Sequence, residues 1–200
     1  VEAGLLENPK VDASMAIHTD ASMDLGELGT CVGDMSTSVD GFRITIQGKG
    51  SHGAQPQNSI DPVNIGAHMV IALQEITSRA LNPYDMGVLT VGNFSAGKAP
   101  NIIPHTPVLQ GTMRAATPKV RALMKEKVNT IVPLTPKTFG GEATIEWFYD
   151  IPSIHNDETL TPELIGYIKE GAGNLLDTYH MDLHISPSDD YALVAERVPS

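Results

Sequence analysis

The chain has 200 residues, 41% hydrophobic and 18% charged, with 18 Gly and 14 Pro, so it can bury a sizeable core and is neither disordered nor collagen-like. Its 13 basic residues face 24 acidic ones, and a formal net charge of −11 repels phosphate backbones, which excludes nucleic acid and anionic membrane as partners. No window is long and apolar enough to span a bilayer as a helix, and one Cys cannot form an internal disulfide, which fits a reducing, cytoplasmic setting.

The start, Val1-Glu2-Ala3-Gly4-Leu5-Leu6, has no initiator Met and no signal peptide and reads like the end of a helix already under way. The finish at Val198-Pro199-Ser200 is abrupt, and both ends are expected to be cuts through a longer protein. Residues 11–18 are predicted as a short buried strand, and residues 19–40, rich in Gly, Ser, Thr and Asp, as irregular. Gly41-Phe42-Arg43-Ile44-Thr45-Ile46-Gln47-Gly48 alternates apolar and polar residues, the two-residue period of a half-buried strand. A glycine-rich loop follows, Gly48-Lys49-Gly50-Ser51-His52-Gly53.

Ser59 is the expected N-cap of a helix with Pro62 in its first turn, running to about Ala80. Its expected inward stripe is Ile60, Val63, Ala67, Val70, Ile71 and Gln74. Asn82-Pro83 ends it. Strands are predicted at 86–94 and 107–115, joined by the tight connection Ser95-Ala96-Gly97-Lys98-Ala99-Pro100. Thr117-Pro118 opens a second helix to about Val132, with Val120, Leu123, Met124, Val128 and Ile131 as one stripe. A strand at 143–149 and a helix from Pro162 to about Leu176 complete the pattern.

The order from 42 to 149 is βαββαβ, the split-βαβ or ferredoxin-like arrangement of an antiparallel sheet with two helices on one face. The fold class is therefore α+β, with a domain over 41–151 inserted between 1–40 and 152–200. Each flank is too short to build a core alone, so both are assigned to one interrupted, incomplete α/β domain.

The seven histidines include no HExxH and no His pair beside a Cys pair. His180 and His184 stand four apart with no further ligand between them, and His68, His105 and His155 read as structural or solvated residues. Cys31 reads as a buried structural thiol. His52 differs, because its small neighbours let a ligand or a second chain approach the backbone and leave the imidazole exposed; the alternative is a turn histidine held by backbone groups. Asn101, between Pro100 and Ile102, is either a rigidly held binding amide or an Asx turn. Arg114, at the end of its strand, is either a bidentate carboxylate anchor or a surface ion pair.

Taken together, these segments resemble the metal-dependent amidohydrolases, the superfamily of aminoacylases, hippurate hydrolase, auxin-conjugate hydrolases and glutamate-releasing carboxypeptidases. The resemblance rests on Gly48-Lys49-Gly50-Ser51-His52-Gly53-Ala54-Gln55-Pro56 with Ile60-Asp61-Pro62, and on Gly97-Lys98-Ala99-Pro100-Asn101-Ile102-Ile103-Pro104. It continues through Gly111-Thr112-Met113-Arg114, Asn156-Asp157 and Ser188-Asp189-Asp190-Tyr191, and the start through His18 is similar to the segment after the family's catalytic glutamate. Thus it spans nearly the whole chain in order.

The resemblance implies a lid and dimerisation domain over 41–151 and a homodimer formed through it. It implies that His52 reaches into the partner's active site as oxyanion donor, that Asn101 and Arg114 bind substrate, and that His18 ligates one of two divalent metal ions of zinc, manganese or cobalt type. The implied reaction is hydrolysis of an amide bond in a small N-acyl amino acid or similar carboxylate-bearing amide. The general base and remaining ligands would lie outside these 200 residues. After His18 the family often continues with an aromatic residue and a proline, where this chain has Thr19-Asp20, which points to an altered pocket. The rival reading is a non-catalytic dimerisation or binding module without a metal centre.

Overall fold

A computed structural model describes residues 3–200. The chain divides into two compact units, one of Val39–Asp150 and one of the segment up to Ser38 together with Ile151–Ser200. In the latter, residues predicted as irregular hold two short strands, β1 (Glu27–Gly29) and β2 (Gly33–Asp34). Residues 11–18 are not the predicted buried strand: they are extended coil, with Met15 54% and Ile17 78% exposed. Asp12, Ala13 and Ser14 interrupt the apolar run, and among the described residues no strand pairs with it. Of the opening segment expected to end a helix, Val1 and Glu2 lie outside the described residues, and Ala3–Leu6 form turns.

The Val39–Asp150 unit contains, in order, β3 (Val39–Gln47), β4 (Ser51–His52), α1 (Pro62–Glu75), β5 (Gly87–Ser95), β6 (Ile102–Ile103), β7 (Val108–Ala115), α2 (Pro118–Leu134) and β8 (Glu142–Ile151). The four long strands form one sheet in the order β5-β7-β3-β8, with β7 antiparallel to both β3 and β5. β4 and β6 make a separate antiparallel ribbon. Alternation in β3 buries Phe42, Ile44 and Ile46, which meet Leu109, Met113 and Ala115 of β7 and Leu89 of β5 in one core. Val120, Met124, Val128 and Val132 of α2 close the same core, and Thr117 caps that helix by accepting from the Val120 N–H.

α1 departs from the predicted face. It buries Ile65, Met69 and Leu73, while Ile71 of the expected stripe is 62% exposed. Its sequence is apolar nearly all round, so periodicity alone leaves the face undecided, and contact with the sheet decides it. The cap also shifts: Asp61, not Ser59, accepts from the N–H groups of Val63 and Asn64, because Pro62 starts the helix directly after it.

The second unit continues with β9 (His155–Asn156), α3 (Leu160–Ala172), β10 (Thr178–His180) and α4 (Ala192–Ala195). Two small pairings join its halves: β1 runs parallel to β10, and β2 antiparallel to β9. Among the described residues, no helix is long and apolar enough to cross a membrane.

Candidate functional site

The glycine-rich loop leaves β3 and is held from both sides. Gly48 N–H donates to the His105 carbonyl at 3.0 Å, and Lys49 and Ile60 exchange backbone bonds at 2.9 and 3.0 Å. The β4–β6 ribbon then sets Ser51 opposite Ile103 and His52 opposite Ile102. Gly53 N–H donates to the Asn101 carbonyl at 2.8 Å, and a side chain at Gly53 would lie 3.1 Å from that oxygen. The backbone thereby brings together His52, on β4, and Asn101, the residue just before β6, although α1 and β5 lie between them in sequence.

The His52 ring is exposed, and its Nδ1 accepts the Ala54 N–H at 3.1 Å. That bond places the proton of the neutral imidazole on Nε2. The exposed nitrogen is thus a hydrogen-bond donor on a tethered ring, the chemical form needed to meet a developing oxyanion.

Arg114 is partly buried near the end of β7, opposite Val88 of β5. Met113 and Ala115 point into the core, so Arg114 lies on the sheet face away from the helices. The His52 loop lies beyond the other end of that strand, past Val108. Six residue steps along β7 separate Val108 from Arg114, about 20 Å at the usual rise. Within one chain, His52 and Asn101 are together and Arg114 is apart.

His18 is exposed, and its Nδ1 donates to the Thr19 carbonyl at 2.9 Å, leaving Nε2 as the ring's acceptor nitrogen. Among the described residues, no group of three or more His, Cys, Asp and Glu side chains converges to hold a metal ion. The residues present therefore do not fit a complete two-metal centre; His18 offers one donor.

Other histidines have structural partners. His155 pairs with Asp34 at 2.9 Å, His180 with Glu27 at 3.5 Å and His184 with Asp182 at 3.3 Å. His68 stacks on Phe139 at 4.8 Å. Cys31 is 2% exposed, and burial, then the charges of Asp182 and Asp34, push its thiol pKa up.

Two remaining motif segments are pins. Asn156 donates to the Cys31 carbonyl at 2.8 Å, and Asp157 accepts from the N–H groups of Leu160 and Thr159 at the start of α3. Those bonds, Leu160's first, hold the Asp157 carboxyl below its ordinary pKa. Asp189 accepts the Tyr191 N–H at 2.8 Å ahead of α4.

One charged group escaped sequence reasoning. Asp40, 1% exposed, takes Arg121 Nε and Nη2 on its two oxygens at 2.8 Å each and Lys125 Nζ at 2.9 Å. The same two cations hold Asp150 at 2.7 and 2.9 Å. The partners are more than eighty residues apart in sequence for Asp40, so no local pattern announces them.

The glycine-anchored ribbon and the four-stranded sheet with its two helices define a peptidase dimerisation domain: residues 37–135 match that family. Residues 37–135 thus form an M20-type peptidase dimerisation domain, and the relatives and solved structures that the chain resembles are hydrolases of that family. It is 30% identical over 199 residues to the N-acetyl-L-cysteine deacetylase of Bacillus subtilis strain 168, covering 100% of this chain and 46% of that protein. It is 31% identical to IAA-amino acid hydrolase ILR1-like 5 of Arabidopsis thaliana, covering 100% of this chain and 46% of the relative. Among solved structures, the Bacillus subtilis YXEP protein, described as a dinuclear metal binding peptidase, superposes with TM-score 0.74 at 27% identity, over 99% of this chain and 48% of that one. The chain spans about half the length of the curated relatives it matches.

Proposed function

We propose that the protein hydrolyses the amide bond of an N-acyl amino acid or a similar carboxylate-bearing amide, and that this chain supplies the lid and part of the catalytic domain. The single observation that carries the reading is the exposed Nε2–H of His52 on a ring tethered beside Asn101. The relatives named as a deacetylase and an IAA-amino acid hydrolase support the reaction class.

The lid is assigned to 41–151 as a ferredoxin-like βαββαβ domain, and 1–40 with 152–200 to the catalytic domain it interrupts. A homodimer forms through the lid, with the edge strand β5 or the adjacent α1 at the contact. His52 donates to the oxyanion in the partner's site, Asn101 contacts the same intermediate, and Arg114 holds the substrate carboxylate. The separation of Arg114 from His52 within one chain supports such a division between two subunits. His18 is a ligand to one of two divalent ions of zinc, manganese or cobalt type, whose chemistry is to activate water and polarise the amide carbonyl. The protein is assigned to the cytoplasm.

The test uses the full-length protein and a panel of N-acetyl amino acids. His52→Ala lowers kcat by about 10²–10³-fold with a smaller effect on KM. Arg114→Ala raises KM strongly, and the effect is lost on amide-capped substrates. Full kcat in His52→Ala sinks the oxyanion role. A second reading is a non-catalytic dimerisation or binding module without a metal centre. Amide hydrolysis by the full-length protein that is lost to a chelator and restored by divalent metal excludes it.

A further inference from the structure

His105 sits in a Pro-His-Thr-Pro turn and is exposed, as its sequence reading has it, and its ring also takes a bond from the loop that carries His52. Gly50 N–H donates to His105 Nδ1 at 3.1 Å, while Gly48 N–H donates to the His105 carbonyl at 3.0 Å. Lys49, between them, bonds to Ile60 on the other side. Among the described residues no backbone carbonyl takes the Gly50 N–H, so the imidazole replaces a ladder acceptor where the loop turns into β4. The ring lies against the Gly50 Cα: a Cβ there would stand 3.1 Å from His105 Nε2 and 2.6 Å from the Ile103 carbonyl oxygen. A side chain at position 50 would displace the ring or the strand.

We propose that His105 is a positioning residue for the His52 loop, its Nδ1 accepting the Gly50 N–H so that loop order, and with it the aim of His52, depends on the His105 imidazole. The consequence for catalysis rests on the reading of His52 as an oxyanion donor. The chemistry follows from the ring. With Nδ1 accepting, the neutral imidazole carries its proton on Nε2; on protonation both nitrogens become donors, and an N–H then faces the Gly50 N–H. The bond is lost two residues before His52.

The experiment follows the Gly50 amide by NMR in full-length protein labelled at glycine, alongside kcat for an N-acetyl amino acid. His105→Ala speeds Gly50 amide exchange and lowers kcat about three- to tenfold, the equivalent of one hydrogen bond, with KM little changed. His105→Asn, whose side-chain oxygen stands near the place of Nδ1, recovers most of the loss. Unchanged Gly50 exchange in His105→Ala, or no recovery in His105→Asn, overturns the proposal whatever His52→Ala does. A Gly50 response as expected beside full kcat in His52→Ala upholds the loop anchor and removes only the oxyanion role.

Discussion

Asp40→Asn removes one negative charge at nearly constant shape from a carboxylate that is 1% exposed. Its two oxygens hold Arg121 in a bidentate fork at 2.8 Å and Lys125 at 2.9 Å, and those cations are 18% and 28% exposed. Breaking a buried pair by removing one partner costs about 3–5 kcal/mol, because the remaining charge stays desolvated. Here the cations are partly solvated and keep Asp150, so the expected loss is lower, about 2–3 kcal/mol. For a unit of this size that is about 10 °C in Tm. Asp150→Ala is the matched control: its carboxylate is 72% exposed, so losing the same two contacts costs about 0.2–1 kcal/mol. Urea and thermal unfolding of the two variants, followed by Trp147 fluorescence, measure both; Trp147 lies 5.1 Å from the Lys125 ammonium and reports on this corner. Equal losses in the two variants, or a loss below about 1 kcal/mol in Asp40→Asn, would refute the reasoning that burial sets the difference.

Three further predictions follow from the same structure. Met69→Ala, at a fully buried position of α1, costs about 2–5 kcal/mol, whereas Ile71→Ala, 62% exposed, stays within about 0.5 kcal/mol; the reverse order in chemical denaturation would restore the face expected from sequence. Asp61→Ala removes the cap of α1 and costs about 0.5–2 kcal/mol, while Ser59→Ala costs less, as measured by the same unfolding curves. Hydrogen bonding to Lys125 holds the Asp150 carboxyl below its ordinary pKa, against the smaller effect of burial. The stability this confers is full above the unfolded value near 3.9 and is lost as pH falls through the lower folded value, so Asp150→Asn flattens the acid limb of a stability–pH curve below about pH 4.

Some of this molecule is legible in the amino-acid order because the signal is local. The alternation of Phe42, Ile44 and Ile46 marks β3, and the stripe Val120, Met124 and Val128 marks α2, since on a strand or a helix the period of the apolar residues is itself the buried face. The glycine loop and the positions of His52, Asn101 and Arg114 are likewise visible as residue types in order. What only the tertiary structure decided is everything that depends on a partner far along the chain. α1 is apolar on nearly every side, so the sheet selects Ile65, Met69 and Leu73 over the equally apolar Val63 and Ile71, with Val70 partly buried at the margin of the core. Residues 11–18 have strand-like composition but no neighbouring strand among the described residues, and without a ladder the segment stays largely exposed. Asp40 acquires its cations from a helix more than eighty residues away, and Gly50 its acceptor from His105, fifty-five residues on. Hydrogen bonds and ion pairs act over a few ångströms of space, and chain separation neither creates nor reveals that proximity until the sheet has folded.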